Sequence, residues 1–170
     1  GKFSSAWQKI FQDFSPFMEE SYRKNSRVRI ICQIETDVEF EKIYIKSNFI
    51  IGNETCDDDE LFRRIQEGKN VVINGNGGAG KTFFMRHLWL EMFKSDTTQT
   101  PIFIELVQIN EINSSDLKTF IRKTISPNTD LAEEIFMYFC EQGKFCLILD
   151  GFDEIQREKR DVIQSQILSL

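Results

Sequence analysis

Residues Gly75–Thr82 read GNGGAGKT, with four glycines and then a lysine and a threonine. Before them lies a short apolar run, Asn70–Asn74 (NVVIN). After them comes a stretch with helical apolar spacing, Lys81–Phe93, through Phe84, Leu88 and Phe93. That order leaves few folds open. A strand must run into bare backbone and then directly into a helix. Glycine admits positive φ and lets main-chain N–H groups converge on an anion. The helix starting near Gly80 adds its free N–H groups and the positive end of its dipole. The pattern G-x-x-x-x-G-K-[ST] is met at every fixed position and in the right context. Gly75, Asn76, Gly77, Gly78, Ala79, Gly80, Lys81, Thr82 and Phe83 are therefore the candidate nucleotide-binding residues. Lys81 supplies charge for the β- and γ-phosphates, and Thr82 a hydroxyl for Mg²⁺. The plain alternative is a glycine-rich turn that binds nothing.

A magnesium nucleotide needs a partner acid. Phe145–Glu154 reads FCLILDGFDE, in which an apolar run leads to Asp150 at the C-terminal end of a strand, where parallel sheets place ligands. Asp150 is the candidate outer ligand of Mg²⁺, beside Thr82. Asp153 and Glu154 follow in the next loop, where a carboxylate would orient or deprotonate an attacking water. Lys81, Asp153 and Glu154 are the candidate catalytic residues. Helix capping is the alternative role for Asp153 and Glu154.

The rest of the chain alternates strand and helix signals, which implies parallel strands joined by crossovers. Residues 1–26 read as a helix with Trp7, Ile10, Phe11 and Phe14 on one face, interrupted or restarted at Pro16. Arg27–Glu35 and Lys42–Gly52 read as strands, with a turn at Gly52-Asn53-Glu54. The acids Asp57–Glu60 read as the cap of a short helix ending at Gly68, rather than a metal cluster. Thr100–Leu106 reads as a second buried strand. Ser114–Ile125 reads as a helix with a Ser or Asp cap, Asp130–Gly143 as another, and residues 156–170 as a last one. The expected fold class is α/β, a P-loop NTPase three-layer sandwich with a mostly parallel sheet. Two segments are expected: 1–48, leading in, and 49–170, the nucleotide-binding part.

Composition excludes more than it identifies. A formal charge of −6 with no long basic run argues against gripping nucleic acid. No apolar run approaches the roughly 20 residues that span a bilayer. Cys32, Cys56, Cys140 and Cys146 form no CxxC pair, so free thiols in a reducing, cytoplasmic setting are expected. The sole histidine, His87, reads as a surface or partner-facing residue.

LILDGFDEI (Leu147–Ile155) resembles the modified Walker B motif of the NACHT family, in the STAND class of P-loop NTPases. In ordinary members of the wider class the catalytic acid directly follows the metal aspartate. Here Gly151 takes that place and the acids come at Asp153 and Glu154, as in NACHT proteins. Thr100–Leu106 resembles the family's second core strand. Phe49–Glu54 resembles the segment before the P-loop that helps hold the base, with Gly52-Asn53-Glu54 where Gly-Arg-Glu is frequent. The resemblance implies a switch in innate immunity or antiphage defence. ADP holds a closed monomer, and a sensed ligand allows ATP binding and self-association. It also implies a sensor and an effector domain outside this chain. The family's first-sensor strand lies between the P-loop and Walker B strands but would follow Leu170. The resemblance thus implies a piece of a longer chain with a gap in its sheet, poorly folded or non-natively paired when free. Two other readings remain at this stage. One is a metabolic kinase or constitutive ATPase, for which no Arg-rich lid is present. The other is an inert interaction module, against which stand Lys81, Thr82, Asp150, Asp153 and Glu154.

Overall fold

The computed structural model describes residues 2–30, 33–95, 97–113, 115–126 and 133–170; within the described elements, the side chains of 2–13, 30, 33–36, 133 and 135 are not described. The chain divides into two compact units, residues 22–97 and residues 1–21 with 98–170.

The unit built on residues 98–170 is organised by two strands, β5 (Thr100–Glu105) and β6 (Phe145–Asp150). They pair in parallel, from Thr100 opposite Phe145 to Glu105 opposite Asp150. Both sequences are nearly continuous apolar runs, the signature of strands covered on both faces. A parallel pair needs a crossover, here α4 (Leu117–Ile125) and α5 (Glu133–Glu141). α6 (Arg157–Ile167) follows β6. Ile102, Ile104, Leu106, Ile109, Leu117, Ile121, Phe136, Ile155 and Ile163 form one buried core. Gln166 of α6 ties it to α4: its side-chain oxygen accepts from Leu117 N–H at 2.6 Å and its amide donates to Ser115 O at 2.8 Å. Among the described cysteines, Cys56, Cys140 and Cys146 are free thiols. Burial pushes Cys146 up to about 11.

The first helix, α1 (Lys2–Ser26), runs through Pro16 rather than breaking there. A helical proline loses one backbone bond and strains the preceding turn. Pro16 is exposed, and on either side Phe14 and Phe17 pack on the core, Phe14 stacking on Phe145 with ring centroids 6.2 Å apart. Tertiary packing thus carries the helix past the proline. Trp7, Ile10 and Phe11 lie outside the residues whose side chains are described.

In the other unit, β1 (Arg27–Ile30) and β2 (Gln33–Glu39) form an antiparallel pair. The single strand expected over Lys42–Gly52 is instead a 3-10 turn at Phe40–Lys42, irregular chain, and β3 (Asn48–Ile51). β3 pairs with β4 (Glu54–Asp57), a polar strand that the sequence reading placed partly in the turn. α2 (Asp58–Gln66) starts where expected, with Asp57 accepting from Glu60 N–H at 2.9 Å.

The largest departure is at Asn70–Asn74. The expected strand is not formed, and Val72 is 92% exposed. Its residues are strand formers, but a strand exists only by pairing, and among the described residues nothing pairs with this segment. Among the described residues, parallel pairing is limited to β5 and β6; the pairs β1–β2 and β3–β4, in the other unit, are antiparallel. No described helix is long and apolar enough to cross a membrane.

Asp116 caps α4, accepting from Thr119 N–H at 3.3 Å and from the Thr119 hydroxyl at 2.6 Å. The hydroxyl bond, ahead of any other influence, holds the Asp116 carboxyl below its ordinary range. A depressed carboxylate stabilises the fold above its unfolded pKa, about 4, and ceases to as pH falls through the folded value. Asp116→Ala is expected to cost about 1 kcal/mol at neutral pH. Thermal melts should show that gap closing on acidification below about pH 4.

Candidate functional site

Helix α3 (Lys81–Lys94) carries Lys81 and Thr82 at its first turn. Gly80 precedes it at φ +83, a left-handed conformation that a side chain would strain. Ala79 N–H donates to Asn76 O at 3.1 Å, closing the loop, and Phe84 N–H donates to Gly80 O at 2.9 Å, opening the helix. Nothing lies within 4 Å of where a Cβ would stand at Gly77, Gly78 or Gly80. The loop is thus bare backbone open to solvent. Lys81 Nζ turns back over it, donating to Gly75 O at 2.7 Å and Asn76 O at 3.2 Å. Thr82 and Phe83 are exposed beside it. Open backbone of this kind, with an ammonium over it and a threonine in the helix turn that follows, has the donors for a phosphate and an oxygen-liganded cation.

The helix is seated by rings on its first turns. Phe83 meets Phe40 edge-on at 5.4 Å, and Phe84 meets Phe49 edge-on at 4.6 Å. His87 stacks on Tyr44 at 4.1 Å and is only 18% exposed. The surface or partner-facing placement expected for His87 is therefore corrected: the ring packs inside its own unit. Beneath it sits Asp58, 2% exposed. A buried carboxyl must have partners. Asp58 Oδ2 accepts from the Tyr44 hydroxyl at 2.6 Å, and Oδ1 accepts from Ser47 N–H at 2.9 Å. His87 Nε2 is 4.0 Å from Oδ2. Burial first, and then the bond to Asp58, push the Tyr44 phenol above its ordinary range. Asp58 thus ties the chain before β3 to the first turn of α2, and Tyr44, so held, stacks on His87 of α3. In the sequence Asp58 is one of the acids Asp57–Glu60 that cap a helix. No local signal marks its partners, which lie 14 and 11 residues away.

In the other unit, Asp150 ends β6 directly opposite Glu105. Gly151 follows at φ +79, and a Cβ there would come within 3.3 Å of Glu154 Oε1. The position favours glycine for its left-handed backbone, since the exposed Glu154 side chain is free to move aside. Phe152–Glu154 form one 3-10 turn, closed by Glu154 N–H donating to Gly151 O at 3.0 Å. Asp153 and Glu154 are exposed on that turn, while Ile155 just after it is 2% exposed. The structure therefore gathers Gly75–Phe83 in one unit, and Asp150, Asp153 and Glu154 in the other. Among the described residues no three His, Cys, Asp or Glu side chains cluster to hold a metal. A magnesium ion bound with a nucleotide needs no such cage, because phosphate oxygens and water fill most of its shell.

Removing the Tyr44 hydroxyl leaves Asp58 Oδ2 buried without its donor. Tyr44→Phe is expected to cost about 1–3 kcal/mol of unfolding free energy, read by urea denaturation.

A family model, described as the NACHT domain, matches residues 69–169. No curated protein and no solved structure matches the chain.

Proposed function

The chain belongs to the NACHT domain family, nucleotide-binding P-loop NTPases of the STAND type, and from that premise we propose that it is a slow regulatory ATPase whose ATP/ADP exchange controls self-association. The biological setting we propose is innate immune or antiphage defence in the cytoplasm, with an unidentified ligand as trigger and no direct role for nucleic acid. The fold we propose for the family region is the three-layer sandwich. One observation carries the reading: Gly151, at φ +79, stands directly after Asp150 and displaces the acids to the turn at Asp153 and Glu154.

The roles follow from the chemistry of each residue. The bare N–H groups of Gly75–Gly80 receive phosphate oxygens. Lys81 exchanges its two loop carbonyls, Gly75 O and Asn76 O, for phosphate oxygens. Thr82 would supply its hydroxyl to Mg²⁺ and Asp150 would act as an outer ligand, and the ion when bound would offset phosphate charge. Phe83, exposed at the helix start, borders the nucleotide. Asp153 and Glu154 orient the attacking water and accept its proton.

Lys81→Ala removes a charged donor worth about 1.5–3 kcal/mol, so ATP affinity should fall about 10- to 100-fold in a titration of the full-length protein. Unchanged affinity would sink the phosphate-loop assignment. Glu154→Gln or Asp153→Asn should slow turnover, by about 10²-fold or more for whichever acid accepts the proton, with binding retained. Many turnovers per second without a trigger would count against a switch and for a constitutive ATPase.

A further inference from the structure

The turn bearing Asp153 and Glu154 is short; Phe152 packs against the core and Ile155 is buried, but both acids are exposed, so burial alone does not fix where they point. Three polar side chains do. Asn110 lies in the 3-10 segment Leu106–Glu111 that follows β5. Its amide donates to Glu154 O at 3.0 Å and its side-chain oxygen accepts from Gln156 N–H at 2.9 Å. It therefore grips the chain on both sides of buried Ile155, as a neighbouring strand would. Arg160 of α6 donates from Nη2 to Asp153 O at 2.9 Å and to Ile155 O at 2.8 Å. Lys159 fixes the Asn110 segment itself, donating from Nζ to Ile109 O at 2.8 Å, to Asn110 O at 3.5 Å and also to Ile112 O. Among the described residues neither cation forms an ion pair with a carboxylate; both are spent on main-chain carbonyls of this one corner. Arg160 comes from the helix that the turn leads into. Asn110 reaches the turn from a separate element, 44 residues away in sequence.

We propose that Asn110 is a positioning residue for hydrolysis: its amide, bonded to Glu154 O and Gln156 N–H, sets the direction in which Asp153 and Glu154 point from the end of β6. The inference rests on the reading that these two acids handle the attacking water. Misplacing a catalytic group by about 1 Å costs on the order of 100-fold in rate, so a lost brace reads out in turnover and not in nucleotide affinity.

The test uses full-length protein, single-turnover ATP hydrolysis, ATP binding and a thermal melt. Asn110→Ala should lower the hydrolytic rate about 10- to 100-fold, with ATP affinity within about twofold of the parent. Asn110→Asp keeps the acceptor for Gln156 N–H but sets a carboxylate oxygen against Glu154 O, so its rate should fall at least about 10-fold, again with ATP affinity retained. A parent-like rate in Asn110→Ala overturns the inference. So does a parallel fall in rate, affinity and melting temperature in both variants, the mark of a merely structural residue. If Asn110→Ala does not fold, Asn110→Asp decides alone: slower turnover at unchanged affinity supports the role, and parent-like turnover overturns it. Asp153→Asn and Glu154→Gln separate this inference from the reading beneath it. If they slow hydrolysis while Asn110→Ala does not, only the positioning role fails. If neither slows it, or the parent binds ATP without hydrolysing it, the assignment of the acids fails and takes the positioning role with it.

Discussion

Parallel strands cannot be joined by a tight turn, and most of the 98–170 unit follows from that. To bring β6 beside β5 in the same direction the chain must cross over, and the crossover supplies α4 and α5 with their apolar faces. The pairing also puts both C-terminal strand ends at one edge, Glu105 opposite Asp150. The loops leaving those ends are then neighbours, although far apart in sequence. That adjacency lets Asn110 reach the backbone at Glu154 and Gln156. The acids at this edge owe their placement to strand direction first and to hydrogen bonds second.

The unit of residues 22–97 rests on a different kind of constraint. It holds a buried polar group, Asp58, bonded to the Tyr44 hydroxyl and 4.0 Å from the His87 ring that stacks on Tyr44. An apolar contact tolerates sliding, whereas a buried carboxyl with two donors does not. Tyr44 and Ser47 are held to one position, and the rings of Phe40, Phe49 and Tyr44 then meet Phe83, Phe84 and His87 on successive turns of α3. The first turn of that helix is also the end of the glycine loop, so the polar anchor fixes where the loop begins its helix.

What the residues disclosed in advance was local or periodic. β5 and β6 were legible as apolar runs, and the caps Asp57 and Asp116 as acids ahead of helical spacing, because each signal lies within a few residues of its effect. The glycine loop and the Asp150–Glu154 run were legible as motifs, and the NACHT family match spans both. What was not legible depends on partners distant in sequence. Val71 and Val72 have the composition of Ile102 and Ile104, yet the latter are buried beside β6 and Val72 is in solvent. Propensity is the same in both; the difference is a paired neighbour. Pro16 misled for the same reason, since the packing of Phe14 and Phe17 outweighs a local defect. Asn110 carried no signal at all. It reads as an ordinary loop asparagine until its hydrogen bonds are known.

The stacking of His87 on Tyr44 has a practical side. The chain carries a single histidine, and its ring lies nearly parallel to a phenol, at 16°, with 4.1 Å between centroids. Ring current from the tyrosine must displace the imidazole proton resonances from their solution positions. One isolated pair of signals in a proton spectrum therefore monitors the seating of α3, a few residues beyond the phosphate loop, without any introduced label.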